Sequence, residues 1–350
     1  MSFLDSIEEI TGNPYAARGK TINDNRTTID TGSYVMNALL SGSIYGGASG
    51  NSVTAYAGES ASGKSIMVLT SAKYFLDKDP AARVVYFESE GAIDTSMMKG
   101  LGIDTERVYI VPVVTIQDFR TQAMKILESY EKDKERKPLM MVLDSLGMLS
   151  TTKEVTDITE GSDKRDMTRA QLVRGTFRVL TLKLAMLNVP MFITNHTYAV
   201  VGSMFPTQEI GGGGGIKFAA TTIVMLSKKK EKDGTEVVGN IIHTKTYKSR
   251  LSKENQMVDV RLYYERGFDR YYGLLELAEK HNVLEKIGNR FIMPDGSKQY
   301  ATTIYKDPEK FFTKELLDKI DKVCNKMFLY GSQQDEVIDE EREIEEEIAE

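Results

Sequence analysis

The sequence predicts an α/β fold whose core is a mainly parallel central sheet covered by helices, with a short N-terminal arm and a small C-terminal α+β domain. Three observations predict it. Residues 58–65 read Gly58-Glu59-Ser60-Ala61-Ser62-Gly63-Lys64-Ser65, a G-x-x-x-x-G-K-S phosphate-binding loop set between an apolar run and a helical one. Continuous apolar runs alternate with amphipathic helical runs from Tyr34 to about residue 270, the pattern of a parallel sheet buried on both faces. One of these runs, Leu139-Met140-Met141-Val142-Leu143, ends on Asp144, as in a strand that delivers a carboxylate to a bound metal.

The elements follow in order. Residues 1–30 are expected to form an arm, because Asn13-Pro14, Arg18-Gly19-Lys20 and Asn23-Asp24-Asn25 interrupt any helix. Residues 53–57 read as the buried strand that enters the phosphate loop, and 66–76 as the helix that leaves it. The glycines let backbone N–H groups turn inward around phosphate oxygens, and the helix N-terminus adds partial positive charge at the same point. Strand 84–87 comes next, then helix 116–130, with Phe119, Ala123, Ile126, Leu127 and Tyr130 on one face. Strand 139–143, helix 177–187 and strand 191–194 complete the alternation. Residues 221–227 and 237–247 bracket Asp233-Gly234, a hairpin turn signal, and Lys228-Lys229-Lys230 reads as the solvated hairpin tip. The ATPase-like core is thus expected over 31–270. A smaller unit over 271–332 should hold a helix to His281, a hairpin around Pro294-Asp295-Gly296 and a helix over 308–328.

Composition narrows the function classes. A 350-residue chain with 41% hydrophobic residues can bury a large core and suggests about two domains. Cys324 is the one cysteine, so no disulfide forms within the chain, which fits a reducing, cytoplasmic setting. The acidic start carries no signal-peptide pattern, and no run approaches the length of a membrane span. Charge is uneven. Residues 335–350 hold ten acids against Arg342, a net −9, which leaves the rest of the −6 chain at about +3 by subtraction. A mildly basic body with an acidic, disordered tail over 333–350 suits either a nucleic-acid binder, whose tail competes with phosphates, or a solubilised terminus.

The candidate chemistry is phosphoryl transfer. Lys64 would reach the β- and γ-phosphates of ATP, and the Ser65 hydroxyl would ligate Mg²⁺ together with Asp144. Glu88 and Glu90 follow strand 84–87 on one side of it. A carboxylate there would polarise the attacking water, and a plain polar loop explains the pair equally well. Asn195-His196 ends strand 191–194. No second histidine or cysteine accompanies His196 at zinc spacing, whereas a polar pair facing the nucleotide would sense the γ-phosphate. Gly211-Gly212-Gly213-Gly214-Gly215 forms no regular element and reads as a loop ordered by a ligand. The polar segment 151–168 is expected to be a second functional loop. Both leave the same side of neighbouring strands.

Taken together, these strings resemble the RecA/Rad51 strand-exchange recombinases, closest to their phage members, over residues 30–285. Phe87-Glu88-Ser89-Glu90-Gly91-Ala92-Ile93-Asp94 is similar to the family segment holding the catalytic glutamate, which the resemblance places on Glu90, with Asp94 at the adenine. Val142-Leu143-Asp144-Ser145-Leu146-Gly147 resembles the Walker B string. Ile193-Thr194-Asn195-His196-Thr197-Tyr198 resembles the nucleotide-sensing segment, with His196 where bacterial members carry Gln. The stretch from Gly211 to Phe218, including Lys217, resembles the second DNA loop, and 152–167 takes the place of the first, which brings Lys164, Arg165 and the adjoining Arg169 toward DNA. Tyr247-Lys248-Ser249-Arg250 resembles the basic segment that reaches the neighbouring subunit's ATP, and Tyr272-Gly273 a nucleotide-adjacent pair. The arm departs from the family, since only Pro14-Tyr15-Ala16-Ala17 resembles a subunit-joining motif.

The resemblance implies an ATP- and Mg²⁺-dependent recombinase that polymerises into helical filaments on single-stranded DNA, pairs it with homologous duplex DNA, and works with a mediator and a single-strand-binding protein. A hexameric helicase or motor on the same fold, and a non-catalytic ATP-gated DNA scaffold, are the competing expectations.

Overall fold

The computed structural model describes residues 7–13, 15–16, 27–161, 168–199, 208–211 and 215–331. A short helix α1 (Ile7–Thr11) precedes β1 (Thr28–Ile29), α2 (Tyr34–Ser41) and β2 (Ala48–Ser49), and β1 pairs antiparallel with β2. Asn37 of α2 is fully buried and ties this entry together. Its Oδ1 accepts from Thr31 N and Oγ1, and its Nδ2 donates to Asp30 Oδ1 and Ile44 O.

The core then alternates strand and helix: β3 (Val53–Gly58), α3 (Lys64–Lys78), β4 (Arg83–Glu88), α4 (Thr95–Gly100), β5 (Val108–Pro112), α5 (Ile116–Lys132) and β6 (Leu139–Asp144). It continues with α6 (Thr152–Thr159), α7 (Arg169–Leu187), β7 (Met191–Ala199), β8 (Gln208–Ile210), α8 (Gly215–Ala219), β9 (Thr222–Asp233), β10 (Glu236–Ser249), β11 (Met257–Tyr263) and β12 (Gly267–Phe268). The sheet order is β12-β11-β10-β9-β3-β7-β6-β4-β5, with β8 on the extended end of β7. From β9 to β5 every neighbouring pair is parallel, and from β9 to β12 every pair is antiparallel. This is a mostly parallel α/β sheet, and the apolar runs explain it. All residues of β3 and β6 are buried, as strands covered on both faces must be.

Two apolar layers sandwich the sheet. On one face Phe119, Ala123 and Leu127 of α5 meet Val173, Phe177, Leu180 and Leu184 of α7. The other face takes α2 and α3. The C-terminal elements are α9 (Leu274–Lys280), β13 (Lys286–Ile287), β14 (Arg290–Ile292), β15 (Lys298–Tyr300), α10 (Ala301–Lys306), α11 (Pro308–Phe311) and α12 (Lys314–Phe328), and the same cluster runs on into α9, β14, α10, α11 and α12.

Three expectations need correction. Segment 151–168 is not loop throughout, because Thr151 and Glu154 form a capping box that starts α6. The single helix expected over 308–328 breaks after Phe311 and restarts at Lys314, where Thr313 caps α12. Helix α7 begins eight residues before the expected Phe177, at Arg169, on the polar side of its apolar stripe.

Candidate functional site

The phosphate loop joins the buried end of β3 to α3. Its sharp turn relies on left-handed backbone at Ala61 (φ 57°) and Gly63 (φ 99°). A Cβ on Gly58 would stand 2.6 Å from the backbone oxygen of Leu226, so that position needs glycine for space, whereas Gly63 needs it for its left-handed backbone. Lys64 is buried and donates to the carbonyls of Gly58 (3.1 Å) and Glu59 (2.8 Å). Burial pushes its ammonium below the usual value, while the Glu90 and Asp144 carboxylates pull the other way. Ser62 Oγ is buried without a hydrogen-bond partner among the described residues. The loop thus presents a cation, an orphaned hydroxyl and two glycine cradles to a cleft of about 590 Å³, also lined by Ser65, Glu90 and His196. An anionic phosphate chain fits these donors.

Parallel pairing brings the carboxylates to the same sheet end. Glu88 lies opposite Asp144 in the β4–β6 register, and Gly58 opposite His196 in β3–β7. Asp144 is held by two hydroxyls: Tyr86 Oη donates to Oδ2 at 2.6 Å, and Thr194 Oγ1 donates to Oδ1. Burial and then the Asp144 charge push the Tyr86 phenol far above its usual value, so it stays a donor. Ser65 and Asp144 suit Mg²⁺, which takes few protein ligands and fills its shell with phosphate and water oxygens. Among the described residues no group of three or more His, Cys, Asp or Glu side chains forms an all-protein metal site.

Glu88 and Glu90 separate clearly. The Glu88 carboxylate accepts from the backbone N–H groups of Glu90, Gly91 and Ala92, and so braces its own turn. Glu90 Oε1 lies 2.8 Å from His196 Nε2 in the cleft. Burial would raise the Glu90 carboxyl, but its contacts with Ser145 and His196 and the Lys64 charge outweigh burial and hold it below the usual glutamate value. Asp94 accepts from Met97 N at 2.7 Å and caps α4, with Met97 rather than Asp94 lining the cleft. Tyr272 lies under the Arg261 guanidinium, 4.0 Å from the ring centroid, whereas Tyr263 and Tyr264 line the cleft.

Lys248 and Arg250 lie at the opposite end of the strands. Ser249 pairs with Thr222, and Thr222 with Thr54, four residues or about 13 Å upstream of Gly58. A register shift between Thr246 and Lys248 re-aims this stretch. Lys248 Nζ donates to Lys217 O (2.7 Å) and Ala220 O (2.8 Å), and Arg250 Nη2 to Phe218 O (3.3 Å), closing the last carbonyls of α8. The structure does not bring them to their own subunit's phosphate loop.

Of the expected DNA residues, Arg169 spends its guanidinium on the carbonyls of Leu146, Gly147 and Leu149. Lys217 Nζ stands 5.4 Å from the Tyr247 ring centroid. Gly211 is clamped: its N–H donates to His196 O, and its carbonyl accepts from Asn195 Nδ2. Gly215 starts α8 against Val173. Lys164, Arg165, Gly212, Gly213 and Gly214 lie outside the described residues. Sequence reasoning missed Tyr86 and Thr194, whose signal was a polar residue inside a buried strand, and Gln208, which gave no signal.

A family model described as the RecA N-terminal domain matches residues 3–269. The chain is 32% identical over 244 residues to the "Recombination and repair protein" of Enterobacteria phage T4, covering 70% of this chain and 61% of that one. It is 25% identical over 245 residues to "Protein RecA" of Borrelia hermsii, covering 68% and 67%. It is 24% identical over 333 residues to "Protein RecA" of Macrococcus caseolyticus, covering 93% and 89%. The match spans less than two thirds of the phage relative's length. On the extent of the family match and on the phosphate-loop geometry that accompanies it, the chain belongs to the RecA N-terminal domain family.

Proposed function

We propose that this protein is an ATP-dependent DNA recombinase that assembles on single-stranded DNA and pairs it with homologous duplex. The observation that carries the reading is the Glu90–His196 pair. It joins a carboxylate at the mouth of the phosphate-loop cleft to the strand that leads into the glycine-rich segment.

In this reading residues 58–65 hold the ATP phosphates with backbone N–H groups and the Lys64 ammonium. Ser65 and Asp144 hold Mg²⁺, which supplies charge neutralisation on the phosphates when bound. Glu90, ionised because its carboxyl sits below the usual value, accepts a proton from the attacking water. His196 positions Glu90 and passes its displacement along β7. The nucleoside end falls to Tyr263 and Tyr264, which line the cleft, rather than to the expected Asp94 and Tyr272. Lys248 and Arg250, remote from their own cleft, stabilise the transition-state charge of the adjoining subunit, so the site is complete only in an assembly. Segment 152–167, with Lys164 and Arg165, and the Gly211–Gly215 run with Lys217 track the DNA backbone, which gives binding with little base preference and a strong salt dependence. A mediator and a single-strand-binding protein, and work in the host cytoplasm, belong to the same proposal.

Glu90→Gln tests it. Hydrolysis should fall by about 10²-fold or more, while single-stranded DNA binding with a non-hydrolysable ATP analogue persists. Undiminished hydrolysis rejects the assignment. Electron micrographs of the analogue complex should show helical filaments, and closed rings would favour a motor.

A further inference from the structure

The hairpin of β7 and β8 touches the phosphate loop at a point that Glu90 and His196 do not explain. Beyond His196, β7 runs past the end of β3 and pairs with β8, with Thr197 opposite Ile210 and Ala199 opposite Gln208. Gln208 turns its amide across the gap. Its Nε2 donates to Glu59 Oε1 at 2.8 Å, and its Oε1 accepts from Thr197 Oγ1 at 3.1 Å. Glu59 is the second residue of the phosphate loop, and its carbonyl also receives the Lys64 ammonium. The hairpin is therefore fastened twice on the nucleotide side, once to the carboxylate that faces water and once to the loop that cradles phosphate.

We propose that Gln208 is a positioning residue. Its amide bridge between Thr197 and Glu59 couples the DNA-bearing hairpin to the phosphate loop, separately from His196. The inference rests on the ATP- and DNA-binding reading given above. Its physical basis is geometric. An amide can donate to Glu59 and accept from Thr197 at once, whereas a carboxylate in its place offers no donor to Glu59 and adds like-charge repulsion. A shift of β8 by one residue would turn Gln208 to the other face of the strand pair and open both bonds together. DNA that fixes this hairpin and a nucleotide that fixes this loop therefore favour the same arrangement, and by linkage each tightens the other.

The test is a coupling measurement on the full chain. The affinity of single-stranded oligothymidylate is measured with and without a non-hydrolysable ATP analogue, and the affinity of the analogue with and without DNA. In the unaltered protein the two enhancement factors should agree. Gln208→Ala should reduce both by about fivefold or more, with DNA-free hydrolysis within about twofold of the unaltered rate. Gln208→Glu should reduce them at least as far. The double variant Glu59→Gln with Gln208→Glu restores an amide–carboxylate pair with donor and acceptor exchanged, and should recover most of the lost coupling relative to Gln208→Glu alone. Enhancement factors within twofold of the unaltered protein in Gln208→Ala overturn the inference, and so does a double variant no better than Gln208→Glu. If the unaltered protein binds neither ligand, the functional reading itself fails, and the bridge is then only a surface bond. Normal coupling in Gln208→Ala leaves that reading standing and removes only the role of Gln208.

Discussion

At the residue scale the two glutamates at the end of β4 carry the clearest lesson. Their spacing puts both on one side of the strand end, and spacing alone does not choose between them. The structure separates them because Glu88 is consumed by three backbone N–H groups and Glu90 faces the cleft. The protonation behaviour follows. Contacts with Ser145, His196 and Lys64 overcome burial and lower the Glu90 carboxyl from its usual value of 4.5, so the ionised form persists below that pH. The stability tied to its ionisation is complete above the usual value and is lost as pH falls through the lowered one. The acid-side loss of hydrolysis governed by Glu90 should therefore lie below the ordinary glutamate range. His196→Ala should move it upward, as read from a rate profile against pH. Asp144 stood out only in company, because an Asp closing an apolar strand is common in α/β proteins and the phosphate loop at residues 58–65 is what made it a candidate metal ligand. Its Tyr86 and Thr194 supports were hidden, since register between distant strands is not written in any local pattern.

Elements with strong period were readable in proportion to that period. Helix α5 buries Ile116, Phe119, Ala123 and Leu127 on one stripe, and its apolar spacing marked it from the sequence. Helix α6 buries no residue at all, and its apolar spacing is confined to Val155 and Ile158, too short a run to mark a helix. Its signal lay instead in Thr151-Thr152-Lys153-Glu154, a capping box inside a polar stretch. Thr151→Ala should loosen this helix by about 1 kcal/mol, seen as faster amide exchange over 152–159 with the melting of the sheet unchanged. Equal exchange in the variant would mean that packing, rather than the cap, holds α6. The break before α12 has the same origin, since the Thr313 hydroxyl accepts from Leu316 N and restarts the helix.

For the whole molecule, the separation of Lys248 and Arg250 from their own phosphate loop makes a strong prediction. In the proposed reading Lys64→Ala would disable a subunit's own cleft, and Lys248→Ala would disable what it lends to a neighbour. Each alone should be inactive, and an equal mixture should regain about a quarter of full hydrolysis, because one junction type in four is then complete. A mixture no better than its components would show that Lys248 acts only as the cap on α8. Charge distribution gives a further expectation. Removing residues 335–350, which carry a net −9, should tighten single-stranded DNA binding most at low salt. Unchanged affinity across salt concentrations would make that segment a solubiliser. Finally, the apolar layer on the α2 side does not stop where the family match ends at residue 269. It continues through Leu274, Ile304, Leu316, Ile320 and Phe328, packed with Val35 and Leu39. A shortened gene product ending at that boundary would bare a greasy flank and precipitate, so drug screens or crystallisation trials on residues 1–269 alone need residues 270–328 kept or that flank redesigned.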